Sequence, residues 1–373
     1  MGTDASIGSL GCRRIDPQPI DPQEDPRWER FVDEHPEALV YHRAAWSRIL
    51  ARAYRFQPHH LALEAPDGSL RGVLPLMGKR GPLTGGRMRS LPAIEVGGPL
   101  AIDAEAERAL VAAACDSARE LGRPLTIDST RPALDRHADG LHPVPRPPTW
   151  VAELPTGDDT FESWLRERSS NLRRGVKRAR SRGVAVRLAD GEDDLSAFYA
   201  LYLRTMRKHR SLPRSLRQLR LSRELLGPEC FRLFLAEQDG QAVAGGVFLQ
   251  FHDTLELLYN ASDDGALDLR PNHALYAHVT GWAAHEGLTR LDYGYAWPGT
   301  PLAAFKAQWG AAEEPRYRYA SPARSAPPEA VPADGASAEA NDASLRERAV
   351  ALLWDRAPLP LTRLAGTAAY RYL

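Results

Sequence analysis

Residues 232–250 read RLFLAEQDGQAVAGGVFLQ, and residues 60–76 read HLALEAPDGSLRGVLPL. In each, two apolar runs flank a short turn containing Asp-Gly, which is a strong hairpin signal. Downstream of each hairpin comes more strand and loop, then a long helical pattern over about 104–121 and 273–286. Each pattern stops near a glycine, Gly122 or Gly287, as a helix C-terminus does. A short apolar strand ending in an acid follows at once, PLTIDST around Asp128 and LTRLDYG around Asp292. The order strand, turn, strand, helix, strand therefore occurs twice. A helix between strands of one sheet implies a crossover and a local parallel pair, so each half is expected to hold a mixed α/β sheet. Two unrelated α/β domains could share this generic order.

The chain has 373 residues, enough for two cores. With 43% apolar and 26% charged residues it is globular in composition, and its formal net charge of zero gives no global pull toward nucleic acid or membrane. The three cysteines, Cys12, Cys115 and Cys230, are scattered without metal-ligand spacing, which points to a reducing compartment. No apolar run is long enough to span a bilayer, and the N-terminus lacks a signal-peptide core, so a cytoplasmic protein is expected. Met1 to Ser6 fit the short myristoylation pattern, which is common by chance. Residues 1–27 read as a flexible leader, 28–155 as a first domain and 156–320 as a second domain carrying the active site. Residues 321–343, rich in Pro, Ala, Ser and acid, read as a disordered linker. The tail, 344–373, opens with a short helix from Leu345 to Trp354. That helix would dock on its own domain or lie at the inner face of a membrane.

Several segments resemble the FemAB family. In the first half these are Tyr41-His42 with Trp46, Gly72-Val73-Leu74-Pro75-Leu76, and Ser90-Leu91-Pro92 followed by Gly97-Gly98-Pro99. In the second half they are Asn171 to Ala179, Phe198-Tyr199, Thr205-Met206, Val243-Ala244-Gly245 and Leu269-Arg270-Pro271-Asn272. Leu291-Asp292-Tyr293-Gly294 and Phe305-Lys306-Ala307-Gln308-Trp309-Gly310 complete the set. Their order and spacing over about 28–320 are similar to FemAB-related proteins of exopolysaccharide and protein-sorting loci. The resemblance implies two tandem GNAT-like acyltransferase domains and transfer of an acyl group to an amine. The resemblance does not fix the donor or the acceptor; aminoacyl-tRNA and a cell-wall or envelope-polysaccharide precursor are the expected pair. An acyl-CoA or carrier thioester donor is the alternative, and a non-catalytic scaffold in polysaccharide assembly is a third reading.

The resemblance also places Lys306 beside the reacting centre, near the donor's terminal ribose and phosphate. An amine attacking an ester builds negative charge on the carbonyl oxygen, which a fixed cation stabilises. Phe305 and Trp309 flank this lysine and join it as candidate substrate contacts. Tyr259, at a strand end, is a candidate acid or oxyanion donor, or else a core tyrosine. Asp292 is a candidate base, or else a turn cap. His209 and His273 rank below these. The two central strands of the second domain, taken as about 242–250 and 255–261, are expected to splay and hold the donor between them.

Between 166 and 187 stand eight arginines and Lys177 against the single acid Glu167. Arg173, Arg174 and Lys177 are the candidate phosphate grip, for a phosphorylated or lipid-linked acceptor or for the donor's RNA, although a run of charge also suits a solvated face. Asn171 is expected to cap this helix. Arg270 and Asn272 open the later long helix, whose N-terminus attracts anions, with Asn272 as its cap. The Gly-rich pyrophosphate loop of CoA-using GNAT enzymes is missing there, which disfavours CoA. Walker A, HExxH, GxSxG and GxGxxG are all absent from the sequence, so no metal, cofactor, serine nucleophile or ATP is expected.

Overall fold

The computed structural model describes residues 16–81, 85–94, 96–156, 161–209 and 211–321. Residues 1–15, the expected linker from 322 onward and the tail helix lie outside the described residues. Part of the expected leader is ordered. Gln18–Pro19 pairs with Leu61–Glu64, and Asp25 caps the helix Pro26–Glu34 by accepting from Arg27 N, while Trp28 and Val32 are buried.

Both expected hairpins form. Leu61–Glu64 pairs antiparallel with Leu70–Leu74, and Phe231–Gln238 with Gln241–Phe251. Asp239 and Gly240 turn the second with φ of 50° and 76°, the type I′ geometry that matches strand twist. The two long helices run Ala104–Glu120 and Pro271–His285, each followed by a strand, Leu125–Ser129 and Arg290–Tyr295. Parallel pairs form as expected, Met88 opposite Leu125 and Thr254 opposite Arg290.

The first half divides its strands between two sheets. One is four-stranded, ordered Gln18–Pro19, Leu61–Glu64, Leu70–Leu74, Leu100–Ala101. The other is six-stranded, ordered Gln57–Pro58, Met77–Gly81, Gly85–Arg89, Leu125–Ser129, Tyr317–Ser321, His142–Val144. The break falls at Pro75, which has no N–H to give a ladder. The second half builds one seven-stranded sheet, ordered Ala185–Ala189, Phe231–Gln238, Gln241–Phe251, Thr254–Ser262, Arg290–Tyr295, Thr149–Glu153, Ala312–Glu314.

Two strands cross between the halves. Thr149–Glu153, read from sequence as part of the first domain, pairs antiparallel with Arg290–Tyr295. Tyr317–Ser321, read as the end of the second, pairs antiparallel with Leu125–Ser129. One face of the seven-stranded sheet packs on the helices Pro271–His285 and Ser170–Ser181. The opposite face packs on Glu192–Lys208, Leu216–Cys230 and, from the first half, Ala44–Tyr54. Tyr54 ties this shared core by donating to Gln218 Oε1 (2.7 Å) and accepting from Ser215 N (3.1 Å).

Candidate active site

The gap in the second sheet does not open where the sequence placed it. Gln241–Phe251 and Thr254–Ser262 are joined by a two-residue turn and stay hydrogen-bonded from Phe251–Thr254 to Ala244–Ser262, with one bulge beyond Val247. The opening lies instead between Thr254–Ser262 and Arg290–Tyr295. These pair in parallel only from Thr254–Arg290 to Glu256–Asp292 and then part. A hairpin turn holds its strands together, whereas a helical crossover leaves the far ends of a parallel pair untied.

Lys306 stands at this opening. Its helix, Pro301–Gln308, starts with Thr300 accepting from Ala303 N. The side chain is buried, and Nζ donates to Tyr295 O at 2.7 Å, where Arg290–Tyr295 leaves its partner. Burial lowers the ammonium pKa to about 8, against an opposing pull from Asp292. Lys306 is therefore a cation that can lose its proton near neutrality.

At the base of the opening sits a pair of carboxyls. Register brings Glu256 and Asp292 opposite each other on adjacent parallel strands. Asp292 is buried, and its Oδ1 accepts from Thr149 Oγ1 and from Gly294 N. It lies within the strand, and its bond from Gly294 N, two residues on at φ 76°, is the local turn bond that stands as the alternative to a base role. Glu256 Oε1 accepts from Tyr41 of the first half at 2.6 Å. Arg316 approaches Asp292 Oδ2 at 3.6 Å. Desolvation and then repulsion from Asp292 push the Glu256 carboxyl up to about 8, and desolvation also raises Asp292. Two such acids cannot both ionise cheaply, so the pair holds a proton near neutral pH.

Other expected residues fall elsewhere. Tyr259 accepts from Gln218 Nε2 (3.1 Å) and packs on Tyr202 (5.3 Å between rings), among the helices that join the two halves rather than with Phe305 and Lys306. Trp309 is fully buried against Tyr276 and Tyr293, so it supports its neighbours and offers no surface to a substrate. Phe305 is half-buried and packs between His273 and Trp309. Burial lowers His273 to about 4, leaving a neutral ring wedged between Phe305 and the basic helix; His209 is exposed at a helix end.

Asn272 does not cap its helix. Pro271 occupies the first helical position, so Arg270, exposed and left-handed at φ 60°, stands at the cap without a side-chain bond. Asn272 instead bridges to the strand Thr254–Ser262 through Asn260 (3.5 Å) and Ser262 (3.4 Å). Pro271 has no N–H, and those of His273 and Ala274 bond Arg270 O. Few donors remain there for a pyrophosphate.

The basic helix runs Ser170–Ser181 and is capped by Ser169, which accepts from Leu172 N, two residues earlier than the expected Asn171. Leu172, Val176 and Ala179 are buried, and Gly175 lies directly against His273. Arg173, Arg174 and Lys177 are exposed, and among the described residues none has an acidic partner. Arg180 pairs with Glu162, and Arg187 with Asp194 and Glu237, so part of the charge run is compensated. Asn171 bonds Gln308 (3.2 Å), which sets the first turn of this helix against the Lys306 helix.

Sequence reasoning missed Glu256 and Arg316, and it quoted Tyr41 without a role. Glu256 sits in TLELLYN, where an acid between leucines reads as a solvent-facing strand position. The first half covers that face. Asp128 occupies the corresponding strand of the first half, but it is locked by Arg89, Arg146 and Arg318 at 2.7 Å each. The equivalent acid there is an ion-pair hub, and in the second half it faces a cavity.

Residues 166–307 match a protein-family model described as an acetyltransferase (GNAT) domain. Among solved structures the chain is similar to FemX, at 16% identity and a TM-score of 0.63, over 82% of this chain and 97% of that one. It is similar also to L-PGS from Bacillus licheniformis, at 12% identity and a TM-score of 0.52, over 90% and 98%. A tandem GNAT protein from the clavulanic acid biosynthesis pathway matches at 14% identity and a TM-score of 0.52, over 84% and 99%. No curated protein matches by sequence. These findings show a GNAT domain over residues 166–307 within a GNAT fold. The chain has the tandem, FemAB-like form of that fold, and the family match falls on the half that carries Lys306.

Proposed function

We propose that the chain transfers an aminoacyl group from aminoacyl-tRNA to an amine of a cell-wall or envelope-polysaccharide precursor. The observation that carries this is the opening between Thr254–Ser262 and Arg290–Tyr295, with a titratable lysine at its mouth and a protonatable carboxyl pair at its base. The Glu256–Asp292 pair takes a proton from the acceptor ammonium. The free amine attacks the ester carbonyl, a C–N bond forms, and the C–O bond to the ribose breaks. Lys306 stabilises the charge on the carbonyl oxygen and gives a proton to the leaving ribose oxygen, and the second proton lost by the attacking nitrogen restores Lys306. Holding both partners in one site contributes about 7–11 kcal/mol by proximity. The ester is already activated, so the reaction needs no ATP.

Arg173, Arg174 and Lys177 hold phosphate beside the Lys306 helix, from the donor's RNA or from a phosphorylated or lipid-linked acceptor. Support for RNA over CoA comes from the helix at Pro271, whose first-turn N–H groups are largely used within the chain. Support for a peptide- or lipid-directed transferase comes from the FemX and L-PGS folds. A CoA donor is the competing reading, favoured by the tandem GNAT neighbour. Filter binding separates them. Retention of charged tRNA in preference to uncharged tRNA, with CoA failing to compete, supports the proposal, whereas saturable CoA binding without tRNA retention overturns it.

The chain is expected to work in the cytoplasm. Among the described residues no helix is long and apolar enough to cross a membrane. Contact of the tail with the inner membrane face belongs to the proposal, and vesicle co-sedimentation with and without residues 344–373 tests it.

A further inference from the structure

A cavity of about 480 Å³ lies between the 36–40 segment of the first half and the strands of the second, and Glu256, Asp292 and Arg316 are among its lining residues. Most of its rim charges satisfy one another. Arg131 pairs with Glu37 (2.9 Å), Arg290 with Glu314, and Asp253 accepts from Thr254 and Thr289.

The three groups named first are less well satisfied. The Arg316 side chain is only 10% exposed, yet its terminal nitrogens stand 3.6 Å from both Asp292 Oδ2 and Glu314 Oε2, beyond hydrogen-bond reach. Among the described residues its one hydrogen bond goes to Pro315 O (3.2 Å), and its buried Nε has no partner. A guanidinium so enclosed ordinarily finds a planar anion. Of the carboxyl oxygens, Glu256 Oε1 is taken by Tyr41 and Asp292 Oδ1 by Thr149 and Gly294, leaving Glu256 Oε2 without a hydrogen bond among the described residues and Asp292 Oδ2 beside Arg316. With one proton shared between the acids, they carry one negative charge against the one positive charge of Arg316. These three groups together are neutral and present both charges, which suits a ligand that is also neutral overall and carries both charges.

We propose that this cavity takes the zwitterionic end of an amino acid, its ammonium against Glu256 and Asp292 and its carboxylate on Arg316. The inference rests on the reading that this carboxyl pair faces the acceptor, and it names the acceptor's class. The attacked amine belongs to an amino acid with a free carboxylate, not to an amino sugar or to a lipid headgroup without one. The ammonium gives one proton to the pair before it attacks, and the carboxylate stays on Arg316 throughout.

Calorimetric titration of the full chain with L-lysine and L-alanine, against their decarboxylated counterparts cadaverine and ethylamine and against glucosamine, tests this. The amino acids should bind at least about tenfold more tightly than the amines, the worth of one charge-assisted hydrogen-bonded contact. In Arg316→Gln the amino acids should fall to the level of the amines. Equal binding in the wild type, tighter binding of an amine or of glucosamine, or no binding of either amino acid overturns the proposal. A preference that survives in Arg316→Gln overturns it as well. If that variant does not fold, the wild-type comparison still decides. Retention of charged tRNA is measured separately, so amino-acid binding without it faults the donor assignment alone, and the converse faults only this one.

Discussion

Lys306 and Glu256 approach the same pKa from opposite sides, because burial destabilises the charged form of each. The consequence for activity is a bell-shaped profile. The singly protonated carboxyl pair still accepts a proton, so kcat/KM rises as the pair loses its second proton, at a pH below its upper step near 8; Lys306 must be protonated, so it falls again above about 8. Lys306→Arg should move the alkaline limb upward. The same carboxyl leaves a mark on stability. Folding keeps Glu256 protonated up to about 8, while the unfolded chain releases that proton near 4.5. The folded state therefore binds more protons in that window, and stability falls as pH rises through it. Glu256→Gln should flatten this slope in urea titrations between pH 5 and 8, and an unchanged slope would contradict the assigned burial. At this scale the sequence showed only part of the site. Lys306 stood out through its motif, whereas Glu256 looked like an exposed strand residue until Tyr41 was seen to cover it.

The helix Ser170–Ser181 meets Pro271–His285 at Gly175, where an added Cβ would lie 2.2 Å from His273 Cδ2. Because both helices frame the opening, their separation sets the placement of Phe305 and Lys306. Gly175→Val should cost about 1–3 kcal/mol through overpacking, read as a lower urea midpoint with an unchanged slope. Charge on the outer face of this helix is a separate matter from its packing. Replacing Arg173 and Lys177 together with Ala should raise the KM for donor or acceptor and leave the urea midpoint unchanged. Unaltered Michaelis constants for both substrates would assign the run to solvent. Hairpins and long helices were legible in the sequence because period and Asp-Gly turns are local signals. Caps were less so, since Ser169 and Asn171 are both good capping residues and only the start of the helix decides between them.

Exchange of Thr149–Glu153 and Tyr317–Ser321 makes each half incomplete without the other. Asp292 takes its Thr149 bond from one exchanged strand, and Arg316 immediately precedes the other, so the carboxyl pair and its cavity exist only in the joined molecule. A fragment starting at residue 161 should show no cooperative unfolding transition, whereas the chain 16–321 should unfold in one. Independent folding of that fragment, followed by circular dichroism, would contradict this. The exchange was invisible in the sequence, because five-residue strands such as TWVAE and YRYAS carry no signal of which distant partner they join.

Aminoacyl transfer by Lys306 and the opening beside it stands or falls on single-turnover transfer from a radiolabelled pool of aminoacyl-tRNA to an amine acceptor, comparing wild type with Lys306→Ala. Label should pass to the acceptor with the wild type, and the variant should be slower by about 10²–10³, or 2.7–4 kcal/mol in the barrier. Transfer at an equal rate without Lys306, or no transfer from any charged tRNA by the wild type, would contradict it.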